Sequence, residues 1–99
     1  MRASSCGAYN PLMQYLVIER FKDARAIYQR LRDRGRLMPD GLVYLNSWIS
    51  TDLGRCFQLM EADDADLFES WISNWDDLME IEVVPVVSSA EASALTLRD

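Results

Sequence analysis

The chain has 99 residues, 49% hydrophobic and 26% charged, the composition of one small globular domain with one core. Sixteen acidic against ten basic side chains give a formal charge of −6, and there is no His. These figures exclude a Ser–His–Asp or Cys–His couple, a His-bound metal and a His-ligated haem supplied by this chain, and they disfavour nucleic acid as a partner. No apolar run approaches the roughly 18 residues a membrane span needs, and residues 1–12 lack the apolar stretch of a signal peptide. Cys6 and Cys56 form no C-x-x-C motif. A disulfide between them stays open, but two cysteines make no framework, so reduced thiols in a cytoplasmic protein are expected.

Residues 1–12 (MRASSCGAYNPL) show no period and are expected to be a flexible leader, with Met13 a candidate natural start. MQYLVIERF (13–21) is rich in β-branched and aromatic residues and predicts a strand. Asp23 is placed to cap a helix to about Arg34, whose buried face would be Ala24, Ile27, Tyr28 and Leu31. Gly35 stops it, and Pro39-Asp40-Gly41 marks a turn. LVYLNSWIS (42–50) and RCFQLME (55–61) read as strands joined by the hairpin connection TDLG (51–54). Asp63 or Asp64 then opens a second helix to about Leu78, with Phe68, Trp71, Ile72, Trp75 and Leu78 on its apolar face. EIEVVPVV (80–87) predicts a fourth strand, and Ser88-Ser89-Ala90-Glu91 a capping box that opens a short C-terminal helix within a tail at 90–99.

This order, β-α-β-β-α-β over residues 13–89, is that of a single ferredoxin-like α+β domain. Right-handed crossovers put both helices on one face of an antiparallel four-stranded sheet of order 4-1-3-2, with Pro85 on an edge strand. Strand alternation splits the sheet into two sets. Leu16, Ile18, Val43, Leu45, Ile49, Phe57, Leu59, Val84 and Val86 are almost wholly apolar and are expected beneath the helices. The other set runs from Tyr15, Val17 and Glu19 through Tyr44, Asn46, Trp48, Cys56, Gln58 and Met60 to Val83 and Val87. Left uncovered, that second face would be a large apolar patch, so a homodimer packing sheet against sheet around a small cavity is expected.

Charge is unevenly placed. Residues 19–36 carry seven bases and three acids, whereas residues 61–82 carry nine acids and no base. Two neighbouring helices that complement each other account for this more simply than a charged partner does.

Candidate chemistry gathers on the second face. Tyr15, Glu19, Tyr44, Asn46, Trp48 and Gln58 would line a pocket for a flat organic molecule, with Trp48 opposite Cys56 or Gln58. Glu19, beside Cys56 or Gln58 and desolvated by a dimer, is the candidate general acid/base. Cys56 lacks a His or a helix N-terminus to activate it and is assigned to the core. The acids Asp63, Asp64 and Asp66 lack the spacing and Gly of a calcium loop, and no metal or cofactor is expected.

The segments VIERF (17–21), RGRLMPDGLVYLNSW (34–48), RCFQLMEADD (55–64) and SWISNWDDLMEIEVVPV (70–86) resemble domain-of-unknown-function family 3303, a family of small, mostly bacterial proteins. The resemblance covers Met13 to about Ser89. It implies the dimeric α/β-barrel version of the ferredoxin-like fold and brings no assigned catalytic residues. The wider superfamily includes cofactor-free monooxygenases, haem-degrading enzymes, lactone isomerases and ligand-sensing domains, an analogy of fold alone. The leading expectation is therefore a cytoplasmic homodimeric module that binds a small molecule or a partner, without nucleic acid or membrane. The alternative is a cofactor-independent enzyme, monooxygenase- or isomerase-like, acting on a small aromatic or keto compound through Glu19.

Overall fold

The computed structural model of the chain describes residues 13–98; the expected leader, with Cys6, lies outside the described residues. In chain order the elements are β1 (Met13–Phe21), α1 (Ala24–Arg34), β2 (Leu42–Ile49), β3 (Arg55–Ala62), α2 (Leu67–Ile72), β4 (Met79–Val86) and α3 (Ser89–Leu97). The strands form one antiparallel sheet in the order β2-β3-β1-β4, which read from the β4 edge is 4-1-3-2. Pro85 lies on an edge strand, where a residue without an N–H is tolerated.

Local chemistry sets the element ends. The Asp23 carboxylate accepts from the Ala26 N–H at 3.1 Å, satisfying one orphan donor of α1. Gly35, at φ 70°, ends that helix while its N–H bonds the Leu31 carbonyl at 2.9 Å. The β2–β3 hairpin is tied by Asp52, whose Oδ1 accepts from the Ser50 hydroxyl at 2.7 Å and the Gly54 N–H at 2.9 Å. Ser88 and Glu91 form a reciprocal capping box for α3, a helix that buries none of its residues.

Helix α2 is shorter than its apolar pattern predicts, ending at Ile72 rather than near Leu78. Beyond it the chain continues in turns, with i to i+3 bonds such as Trp75 N–H to Ile72 O and Leu78 N–H to Trp75 O. Ser73, Asn74, Asp76 and Asp77 explain the break, because short polar side chains compete for backbone partners. The Ser73 hydroxyl donates to the Ser70 carbonyl at 2.7 Å, and the Asn74 amide reaches across to the Leu37 carbonyl at 3.1 Å. Trp71 and Trp75 are nevertheless both buried.

The face assignment is corrected. The helices cover the set that contains Tyr15, Val17, Glu19, Cys56, Gln58 and Met60, all buried, and Val17 and Met60 are fully so. Leu16, Ile18, Phe57, Leu59, Val84 and Val86 lie on the open face, each half-buried. The reason is polar balance over the whole strand length. Gln14, Arg20, Arg55, Glu61, Glu80 and Glu82 share the open face and stay in water, whereas the covered face has only Glu19 and Gln58 to satisfy. A second correction concerns β2. A bulge between Tyr44 and Asn46 shifts its parity, so Trp48 pairs with Phe57 rather than with Cys56 or Gln58. Ser47, opposite Gln58, turns inward, and Ile49, opposite Cys56, lies beneath the helices as expected.

The core lies between the covered face and the helices. Tyr15 and Phe68 meet edge to face at 4.9 Å, and Ile27 of α1 is buried against the same cluster. The opposite charges of the two helical regions do meet. Arg30 grips Asp77 through two bonds of 2.8 Å and also donates to the Asn74 carbonyl, which ties α1 to the turns after α2. Among the described residues no helix is long and apolar enough to cross a membrane.

Candidate functional site

Beneath the helices, at the end of the sheet where β1 finishes and β3 begins, is a half-open cavity of about 130 Å³. Its sheet side carries Glu19, Cys56 and Gln58, and its helix side Ile27, Leu31, Trp71 and Trp75. The segment after α1 adds Arg36. The result is an apolar chamber with a small cluster of polar groups on one side, the usual make-up of a ligand pocket.

Each polar group is positioned by the sheet or by a clamp. Glu19 sits in the middle of the sheet, paired with Cys56 on β3 and Ile81 on β4, and is only 6% exposed. The Cys56 side chain stands beside its carboxyl group from the neighbouring strand. Gln58 stands one inward position further along β3, and its amide NH₂ contacts the Met60 sulfur at 3.2 Å. Arg36 is held at its backbone: the indole N–H groups of Trp71 and Trp75 both donate to its carbonyl, at 3.1 and 3.0 Å. Its guanidinium lies 3.6 Å from the centre of the Tyr44 ring and donates to Gln58 Oε1 at 3.4 Å. The Tyr44 hydroxyl is in turn fixed 2.6 Å from the Ser47 hydroxyl. The next residue, Leu37, has φ 60°, a left-handed backbone held by the same indole clamp and the Asn74 amide.

Burial decides the protonation states. It pushes the Glu19 carboxyl up to about 7, against the opposing effects of the Cys56 hydrogen bond and the Arg36 charge. It also pushes the Cys56 thiol up to about 12, with the nearby Glu19 charge adding to the rise. Cys56 is therefore a thiol at neutral pH and no nucleophile. Below about pH 7 the neutral Glu19 offers a hydrogen bond, and above it a buried negative charge beside Arg36.

Of the six pocket residues expected from sequence, the structure brings two into the cavity, Glu19 and Gln58. Tyr15 lies on the same face but packs in the core against Phe68, and Tyr44 supports the cavity from behind Arg36. Asn46 and Trp48 project from the open face, Trp48 being 53% exposed, so the six do not form one site. Sequence reasoning missed Arg36, counted there as one more charge of the basic segment, and Ser47, hidden by the bulge. The signal for Arg36 was its place in the Gly35–Gly41 loop next to a W-x-x-x-W pattern whose indoles need acceptors.

Among the described residues, no three His, Cys, Asp or Glu side chains come together as a metal ion requires. What the cavity offers is a fixed cation, an amide, a carboxyl that titrates near neutrality and an apolar wall. That set can orient a small polar head group and move a proton to or from it. No curated protein and no solved structure matches the chain. Residues 13–98 match the family described as Domain of unknown function (DUF3303), and the chain belongs to that family.

Proposed function

We propose that this domain binds a small organic molecule in the cavity between its sheet and its helices. One observation carries this: a buried carboxyl, a guanidinium and an amide line a chamber of about 130 Å³ whose remaining walls are mostly apolar. Cavities of about 150 Å³ take a benzene-sized ring, which sets the scale of the occupant. A thermal-shift screen of small aromatic and aliphatic compounds tests it, repeated on Ile27→Trp, which fills the chamber from α1. Stabilisation of the wild type that is lost in Ile27→Trp is expected. Equal shifts in both proteins would place binding elsewhere.

The enzymatic alternative draws on Glu19, a carboxyl that titrates near neutrality beside a cation and is suited to accepting and returning a proton without a cofactor. Turnover of a small aromatic or keto compound that is abolished in Glu19→Gln with binding retained would favour catalysis over binding alone.

For the quaternary state we propose a homodimer through the open sheet face. The apolar strip of Leu16, Ile18, Phe57, Leu59 and Val84 supports it, with Trp48 exposed beside Phe57. Strand β3 carries Arg55 at one end of this face and Glu61 at the other, so a copy turned by a two-fold axis lays unlike charges together. Sedimentation of the wild type and of Phe57→Glu is the test, with a dimer expected only for the first. The buried free thiol of Cys56 agrees with the reducing cytoplasm as its compartment.

A further inference from the structure

Arg36 stands out among the charged groups of the cavity. The other arginines that approach the acidic elements have carboxylate partners, Arg20 with Glu82 and Arg30 with Asp77, and neither lines the chamber. Arg36 is half-buried and lines the chamber, and no carboxylate of the described residues lies within ion-pair distance of it. Its polar side-chain contact is a single long bond to Gln58, at 3.4 Å. The Trp71 and Trp75 indoles fix its backbone, and Tyr44 fixes its guanidinium plane. A cation held this firmly with most of its donors unused is built to receive acceptors from outside.

From this geometry we infer that the cavity takes a small organic monoanion, a carboxylate with a compact apolar body, whose oxygens bond the Arg36 guanidinium with the Glu19 carboxyl group also lining the chamber. This rests on the small-molecule reading given above and names the ligand class. Guanidinium and carboxylate match two N–H donors to two oxygens, and the apolar wall of Ile27, Leu31 and Trp75 fits the body.

Proton linkage follows from the neighbours of Glu19. From β3 it faces Cys56, a thiol until about pH 12. From α1 it faces Tyr28, whose hydroxyl ionises above its ordinary range because of burial. The loop brings Arg36, and the cavity walls from α2 and β4 bring Trp71, Trp75 and Met79, which do not titrate. Glu19 is thus the one facing group that changes charge between pH 6 and 8. Once ionised, it repels the ligand and competes for Arg36. With a midpoint of about 7, the neutral fraction falls from about nine-tenths at pH 6 to about one-tenth at pH 8, a tenfold loss of affinity.

The experiment is isothermal titration calorimetry on the full chain with benzoate, ionised at both pH values, and benzyl alcohol as its neutral counterpart. Benzoate is expected to bind at pH 6 and about tenfold more weakly at pH 8, taking up close to one proton at the higher pH. Glu19→Gln should bind it equally at both. Arg36→Gln should lose at least tenfold for benzoate at pH 6 and nothing for benzyl alcohol, whereas Arg36→Lys, which keeps the charge but not the planar fork, should lose less than Arg36→Gln. Both variants retain the indole clamp, which holds the backbone carbonyl rather than the side chain, and tryptophan fluorescence checks their folding. Benzyl alcohol binding as tightly as benzoate, or benzoate binding indifferent to Arg36→Gln, would overturn the anion assignment and leave the cavity as a neutral-ligand site. If neither compound binds and the fragment screen is silent, the cavity binds no such molecule, and the small-molecule function falls with the anion assignment.

Discussion

Replacing Glu19 by Gln should stabilise the protein at alkaline pH, because it removes a buried group that ionises. In the unfolded chain this carboxyl ionises at its ordinary value of 4.5, whereas in the fold burial holds it neutral to about 7. Between those values the unfolded state sheds a proton that the folded state keeps, so the unfolded state is favoured progressively as pH rises. The effect starts near pH 4.5, is complete above pH 7, and amounts to about 3 kcal/mol at roughly 1.4 kcal/mol per pKa unit. That is a large share of the roughly 4–13 kcal/mol available to a domain of this size. Glu19→Gln mimics the neutral form in size and polarity. Urea titrations followed by tryptophan fluorescence, at pH 5, 6, 7 and 8, measure the difference between the two proteins. Other carboxylates titrate in both and cancel in that difference. Near pH 5 the linkage advantage of the variant should be below about 1 kcal/mol, and at pH 8 about 3 kcal/mol, or roughly 10–20 °C in Tm. A difference that stays constant from pH 5 to 8 would show that Glu19 is solvated in the folded state, and the cavity electrostatics would fail with it.

Three further outcomes are expected. Gly41 has φ 93°, and a Cβ there would stand 3.0 Å from the Leu67 side chain, so Gly41→Ala should cost about 1–2 kcal/mol in the same urea assay. Trp71→Phe and Trp75→Phe each leave the Arg36 carbonyl one indole donor, but the double variant leaves it neither. The double loss should exceed the sum of the single ones by about 1 kcal/mol in a double-mutant cycle. Cys56, 4% exposed and with its thiol pushed up to about 12, should resist iodoacetamide at pH 8 until denaturant is added, as read by peptide mass spectrometry.

The strands, the α1 boundaries and the α3 capping box were legible because they rest on local chemistry: β-branched runs, Asp23, Gly35, and Ser88 with Glu91. The end of α2 was less so. The apolar pattern of Phe68, Trp71 and Trp75 continues through a region where the backbone no longer does, since turns with i to i+3 bonds present the same side chains inward. The β2 bulge has no marker in LVYLNSW, and it placed Ser47 on the covered face and Trp48 on the open one. The covered face was open to inference from the strand ends. Arg20 and Arg55 oppose each other on β1 and β3, Gln14 bonds Glu61 at 3.4 Å, and Arg20 approaches Glu82 at 3.7 Å, all on the face that meets water. Judging parity from the apolar centres of the strands alone hid this, because both centres are apolar.

The corrected face changes how site and assembly relate. On the sequence pattern, pocket and dimer interface shared one surface, so a ligand would have had to sit between two copies. In the structure the sheet itself separates them. Glu19, Gln58 and Arg36 lie on the helix side, and Leu16, Ile18 and Phe57 on the other. Adjacent residues of one strand, Ile18 and Glu19, therefore serve different surfaces. A substitution on the open face that breaks a dimer need not alter the cavity, and one at Glu19 need not alter assembly. If the two respond together, for instance if Phe57→Glu also abolishes the pH dependence of stability, then coupling must run through the strands. The pairs Ile18–Phe57 and Glu19–Cys56, neighbours on β1 and β3, are the route available to it.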